Sequence, residues 1–292
     1  MGKGNGAVLM EPVQMPKTVK IPLMSGANAF RIGIDGNMAY VPTLQGKTYV
    51  VDLNSHKVTS SFATPTGARI ANVSQANHLL IITGAKNVTA YSLPSLKEVW
   101  QVNQGGNALA IAGNSAYLSS NAQSTTSVID LKTGKVTSTI PVGMIEDSVY
   151  DKQKHTLWLA NWSTGKMTIV NTMDNKVVTT ITKSEGGGFN MTNMMGSSGG
   201  FMQLAVGPNG NHVYAASFSG NIMVYNAANN MFEKDIPTVS GAKLSGIAID
   251  PSGQYAYTTV ESKMETIAVS LKTGKVVSTY PNLESNRWFV IH

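Results

Sequence analysis

The stretch VVDLNSHKV (Val50–Val58) returns as VIDLKTGKV (Val128–Val136) and again as AVSLKTGKV (Ala268–Val276). Weaker copies are AYSLPSLKEV (Ala90–Val99), IVNTMDNKV (Ile169–Val177) and VYNAANNMF (Val224–Phe232). The anchors Asp52, Ser92, Asp130, Asn171, Asn226 and Ser270 are spaced by 40, 38, 41, 55 and 44 residues. The one long interval contains a Gly- and Met-rich insert, Lys183 to Gly200. A period of this length is the mark of a repeated supersecondary unit.

Each copy reads as four short strands. In Lys243–Tyr280 these are LSGIAID, YAYTTV, ETIAVSL and KVVSTY, separated by Pro251-Ser252-Gly253 and Lys272-Thr273-Gly274 turns and a b–c loop. Two-residue alternation, β-branched side chains and Gly/Asn/Asp turns support strands throughout, and no helical stripe is present. A four-stranded unit cannot bury both faces alone, whereas a closed series of such units can. Small residues Gly33, Ala71, Ala110, Ala205 and Gly246 fall on the first strand, where neighbouring units converge. The expected fold is an all-β propeller with four-stranded antiparallel blades, in a single domain covering 1–292.

Six copies run from about Ala27 to Asn282. The ends 1–26 and 283–292 remain: Ala7–Glu11 and Thr18–Met24 read as spare strands, and Arg287–His292 aligns with a first strand. Together they suggest a seventh blade closed by both termini, one strand short of four. A six-bladed propeller with extra edge strands is the alternative.

The endings YVPT (from Tyr40), YLSS (Tyr117), WLAN (Trp158) and YAAS (Tyr214) resemble the Tyr-Val-Thr-Asn repeat of YVTN-type β-propellers. GIAIDPSG (from Gly246) and VIDLKTGKV resemble the other strands of that family. The resemblance covers almost the whole chain and implies a propeller. It also implies an extracytoplasmic protein, periplasmic or secreted, whose ligands bind on the face where first strands begin. Family members serve as surface proteins, binding proteins and parts of redox enzymes, so the resemblance carries little about activity.

Composition narrows the chemistry. Cysteine is absent, which excludes disulfides, thiolate metal sites, attached c-type haem and a Cys nucleophile. Only 13% of residues are charged, about half the ordinary share. The net charge is +6 and the pI about 9.3, which favours anionic partners. No apolar run reaches membrane-spanning length. The start Met1–Gly6 lacks the apolar stretch of a signal peptide, so none is expected in this chain.

The three arginines, Arg31, Arg69 and Arg287, all fall at the start of a first strand when the copies are aligned. An arginine fork suits carboxylate, sulfate or phosphate. A mouth lined by these three is the leading candidate site; the competing reading is that they pair with Glu146 and Asp147 as staples between blades. Gln203 occupies the same register. Asn161 and Trp162 lie in the loop above Glu146, and Trp288 follows Arg287; with Phe30 and Phe218 the tryptophans could form an aromatic rim. Adjacent strand residues point to opposite faces, so Glu146 and Asp147 are not expected to act as a catalytic pair.

The methionines Met191, Met194, Met195 and Met202 in and beside the insert suggest an adaptable lid or partner contact. Cu+ at these thioethers and Ca2+ at Glu146 are minor expectations, and no cofactor is predicted. His78, His155 and His212 precede second strands, on the opposite edge from the arginines. No nucleophile–base set is recognisable, which leans away from an enzyme. The leading reading is a non-enzymatic propeller that binds an anionic small molecule or a protein partner. The first alternative is a lactonase-like hydrolase acting on an anionic sugar lactone, with arginines on the phosphate and Glu146 as base or metal ligand. The second is weak nucleic-acid binding, disfavoured because no dense basic patch exists.

Overall fold

The computed structural model describes residues 6–10, 18–25, 27, 29–120, 122–161, 164–182, 200–281 and 288–290. The sequence forms a hairpin followed by six four-stranded sheets. The hairpin is β1 (Gly6–Met10) and β2 (Thr18–Pro22). The first blade is β3 (Gly33–Asp35), β4 (Met38–Thr43), β5 (Lys47–Asp52) and β6 (Lys57–Ala63). The second is β7 (Ile70–Ser74), β8 (Leu79–Thr83), β9 (Val88–Ser92) and β10 (Glu98–Val102). The third is β11 (Ala108–Ala112), β12 (Ser115–Ser120), β13 (Thr125–Asp130) and β14 (Val136–Pro141). The fourth is β15 (Asp147–Asp151), β16 (Thr156–Ala160), β17 (Lys166–Asn171) and β18 (Lys176–Thr182). The fifth is β19 (Phe201–Val206), β20 (His212–Ser217), β21 (Asn221–Asn226) and β22 (Met231–Pro237). The sixth is β23 (Leu244–Ile249), β24 (Tyr255–Val260), β25 (Glu265–Ser270) and β26 (Val276–Tyr280).

Within every blade the strands pair antiparallel in chain order. The architecture is a six-bladed β-propeller. The chain divides into two compact units, Met1–Pro141 and Val142–Ile291, each holding three blades. In the first unit, first strands lie side by side as β3–β7 and β7–β11; in the second, as β15–β19 and β19–β23.

The six-bladed alternative is the one that fits. The seventh blade expected from both termini is not assembled among the described residues. β1 and β2 pair only with each other, from Gly6 opposite Pro22 to Met10 opposite Thr18. The N-terminal segment is instead held by apolar packing: Ile21, Leu23, Ala27 and Ala29 bury against Ala39, Val41, Tyr49 and Val51 of the first blade. At the other end, 288–290 run outside any sheet, and the rest of 283–292 lies outside the described residues. The two spare strands expected at the N-terminal end are present as β1 and β2, while 288–290, which alternate like a strand, have no ladder partner.

Five of the six repeated anchors are turn acceptors, Ser270 among them, while the Ser92 hydroxyl donates to the Lys97 carbonyl at 3.2 Å. The carboxylate of Asp52 accepts the Asn54 N–H at 2.8 Å, and that of Asp130 accepts the Thr133 N–H at 2.8 Å. Asn171 and Asn226 accept from Met173 and Ala228 at 2.9 Å each. These bonds stabilise the ionised form: the Asn54 N–H beside Asp52 and the Thr133 hydroxyl beside Asp130 hold both carboxyls below the usual range. A short acceptor two or three residues ahead of a donor closes the turn between third and fourth strands.

Blade faces are stitched by aromatic and aliphatic side chains. Trp158, Tyr117 and Tyr225 are fully buried. Tyr225 meets Trp158 at 5.9 Å, Phe232 at 5.7 Å and Phe201 at 6.4 Å between ring centroids. Outer strands carry exposed valines, Val58, Val136, Val177 and Val276, each directly after a lysine. Such charges protect an open sheet edge.

Two glycines show how closely blades approach. A Cβ on Gly33 would lie 3.1 Å from the Ala71 carbonyl oxygen of the neighbouring first strand. Gly134, at φ +69°, sits under Trp100, whose Nε1–H donates to the Leu131 carbonyl at 2.7 Å. A Cβ on Gly134 would lie 2.7 Å from the Trp100 ring, whereas the equivalent atom on Gly274, also at φ +69°, meets nothing nearer than 3.5 Å. Both Ala substitutions carry the cost of a positive φ, but only Gly134→Ala adds overpacking, about 1–3 kcal/mol. Urea denaturation should therefore show Gly134→Ala losing at least about 1 kcal/mol more than Gly274→Ala; equal losses would contradict the packing described.

Candidate functional site

Every first strand is an edge of its own sheet, so alternate N–H and C=O groups point away from its ladder. Unpaired and buried, each such group would cost about 1–3 kcal/mol. In the first unit the main chain itself answers this. Arg31 forms a parallel bridge to Ile70: its N–H donates to Arg69 C=O at 2.9 Å, and its C=O accepts the Ala71 N–H at 3.0 Å. Further along, Asn72 Nδ2 donates to the Leu109 carbonyl at 3.3 Å.

In the second unit side chains do the same work. Asp147 Oδ2 accepts the N–H of Leu204 at 2.7 Å, and Gln203 Oε1 accepts the N–H of Ile247 at 3.0 Å. Both receiving strands shift register there, β19 between Phe201 and Leu204 and β23 between Leu244 and Ile247. Gln203 also holds the C-terminal segment. Its Nε2 donates to Phe289 C=O at 2.7 Å, and its Oε1 accepts the Phe289 N–H at 2.9 Å.

These bonds sort the residues that sequence reasoning grouped at one mouth. Asp147 is fully buried and Gln203 is 2% exposed. Neither offers its polar atoms to a ligand in this state; both hold neighbouring strands. Glu146 is half-buried and its N–H donates to the Ala160 carbonyl at 2.9 Å, so the two adjacent carboxylates differ in setting, as alternation requires. Asn161 is buried and closes its own loop, Oδ1 accepting the Thr164 N–H at 3.0 Å. Trp288 is half-buried in the segment held by Gln203. Met202, grouped with the lid methionines, is buried in β19. Arg287, Trp162, Met191, Met194 and Met195 lie outside the described residues, as does most of the insert.

The backbones of Arg31 and Arg69 are set side by side. The parallel bridge sets Arg31 opposite Ile70, one residue from Arg69. Arg69 is exposed and Arg31 half-buried. The Arg69 guanidinium carbon stands 5.6 Å from the centre of the Phe30 ring, within cation–π range. The second unit repeats the device: Lys243 Nζ lies 6.0 Å from the centre of Phe218. Arg69 and Lys243 each directly precede the first strand of their blade. Lys243 was missed in the sequence because lysines are scattered through the chain; its place just before LSGIAID was the available signal.

On the opposite edge, His212 Nε2 and Glu233 Oε2 are 3.0 Å apart, and His155 Nδ1 is 3.2 Å from the Tyr150 hydroxyl. Among the described residues no group of three or more His, Cys, Asp or Glu could hold a metal ion. No helix among them is long and apolar enough to cross a membrane.

No family model matches the chain, and no curated protein matches it. A solved structure does: Kuenenia stuttgartiensis hydrazine synthase, at 15% identity and a TM-score of 0.75, over 89% of this chain and 88% of that one. At that identity the likeness is one of fold. The fold is a β-propeller.

The buried bond between Asp147 and Leu204 has a measurable consequence. Asp147→Ala leaves the Leu204 N–H without this acceptor and should destabilise the protein by about 2–3 kcal/mol. Asp147→Asn keeps a carbonyl oxygen in place and should recover at least about half of that loss. Urea denaturation of the three proteins measures both; an Ala variant as stable as the parent would refute the role given to Asp147.

Proposed function

We propose that the protein is a non-enzymatic binding propeller whose ligand site is the paired-arginine edge of the first unit. The observation that carries this is the parallel bridge that sets Arg31 and Arg69 on adjoining segments just ahead of β3 and β7. The main-chain bonds of that bridge already satisfy the strand edge. Guanidinium groups are donors only, so they cannot replace the acceptors that Asp147 and Gln203 supply in the second unit. Two arginine forks at one edge suit an anion with several oxygens, such as a carboxylate or phosphate. Phe30 beneath Arg69 restricts that side chain and leaves its exposed face toward solvent. The +6 net charge draws anionic partners toward the surface as a whole.

The ligand class is thus a multivalent anion, either a small polycarboxylate or phosphate or an acidic protein segment. The extracytoplasmic setting implied by the family resemblance fits a carrier or docking module, and it stands as part of this proposal. The lactonase-like reading, which gives Glu146 the role of base or metal ligand, has no observation of its own in its favour: Glu146 is half-buried, and among the described residues no group of three or more His, Cys, Asp or Glu could hold a metal ion.

Calorimetric titration with citrate, inorganic phosphate and a polyglutamate peptide tests the site. At about 20 mM salt, where screening is weak, at least one of these should bind. Arg31→Ala/Arg69→Ala should weaken that binding about tenfold or more, the loss of a charge-assisted hydrogen bond. Exposed Lys152→Ala should leave it within about twofold. Binding indifferent to the arginine pair, or none by any probe, would rule the proposal out.

A further inference from the structure

A carboxamide can make four hydrogen bonds, and Gln203 makes three. One, from Ile247, ties β19 to β23. The other two go to a single residue, with the N–H of Phe289 donating to Oε1 and its C=O accepting from Nε2. Reading the donor and acceptor of one residue with one planar amide is main-chain recognition, and it asks nothing of the side chain. The bound segment comes from 86 residues away in sequence and joins no sheet. It is held as a ligand is held, by a side chain that is 2% exposed.

We propose that Gln203 is the floor of a peptide-binding site on the second unit, that the segment around Phe289 is its resident occupant, and that the site accepts the same segment presented in trans. The chemistry it selects is an extended peptide with a free N–H and C=O at one residue. Trp288 and Phe289 are half-buried, while Val290 is exposed. A buried carboxamide with no partner is costly, so the site favours occupancy, and the protein's own segment competes with any incoming one. This site stands independently of the arginine pair.

The test uses the full chain and a fluorescein-labelled synthetic peptide, LESNRWFVIH, spanning residues 283–292. Phe289→Pro removes the N–H that Gln203 reads, leaving only the carbonyl bond, and so weakens occupancy in cis. By fluorescence anisotropy, the Phe289→Pro chain should bind the peptide at least about tenfold more tightly than the parent, whose own segment competes at millimolar effective concentration. Phe289→Pro combined with Gln203→Leu should lose that binding by about tenfold or more. A folded Phe289→Pro chain that binds no peptide, or binding that survives Gln203→Leu, overturns the proposal. Should Phe289→Pro fail to fold, hydrogen exchange on full-length Gln203→Glu decides instead. The carboxylate keeps both acceptor roles but sets an oxygen against the Phe289 carbonyl, so the Phe289 amide should exchange at least about tenfold faster at pH 7 while the Ile247 amide keeps its rate. An unchanged Phe289 rate overturns the proposal equally.

Discussion

The inner edge of each blade is the constraint on which the structure depends. A four-stranded sheet has two open edges, and in a propeller the first strand is the one that neighbouring blades crowd. Small residues let the strands approach: a Cβ on Gly33 would already touch the Ala71 carbonyl. Close approach buries main-chain groups that the ladder does not use, and each must find a partner. The first unit meets this with a direct bridge between Arg31 and Ile70, the second with the side chains of Asp147 and Gln203.

That constraint separates the polar residues sharing one register. Side chains with acceptor oxygens, Asp147 and Gln203, are drawn inward by donors that need them. An arginine cannot accept from those N–H groups, and Arg69 remains exposed over Phe30. A buried polar residue near a propeller axis is therefore first a candidate for edge satisfaction, and only then for ligand binding. The proposed anion site rests on Arg69, exposed beside Phe30, with the Arg31 backbone bridged alongside it.

Much of this was legible in the sequence because it is local. Asp52, Asp130, Asn171 and Asn226 recur because each closes a turn within two or three residues. The last blade was readable nearly to the residue, with LSGIAID becoming Leu244–Ile249 and YAYTTV becoming Tyr255–Val260. Arg31 and Arg69 lie on neighbouring backbone segments, through the bridge from Arg31 to Ile70. What the sequence hid is long-range pairing. RWFVIH alternates like a strand, yet the part described is bound by one carboxamide and not by a ladder. TVKIPLM likewise reads as an outer strand, but its neighbour is β1, and Ile21 and Leu23 cover the first blade. Alternation reports which face is buried and carries nothing about which strand, if any, lies alongside.

Amide hydrogen exchange at Leu204 and Ile247 in the intact protein reads the inner-edge bonds most directly. Both N–H groups sit on first strands and donate to buried side-chain oxygens at 2.7 and 3.0 Å. Their exchange is predicted to be among the slowest in the second unit, matching core amides of β20 and β24 and requiring global opening. Exchange of Leu204 and Ile247 as fast as that of amides on the open outer strands β22 and β26 would contradict edge satisfaction by Asp147 and Gln203.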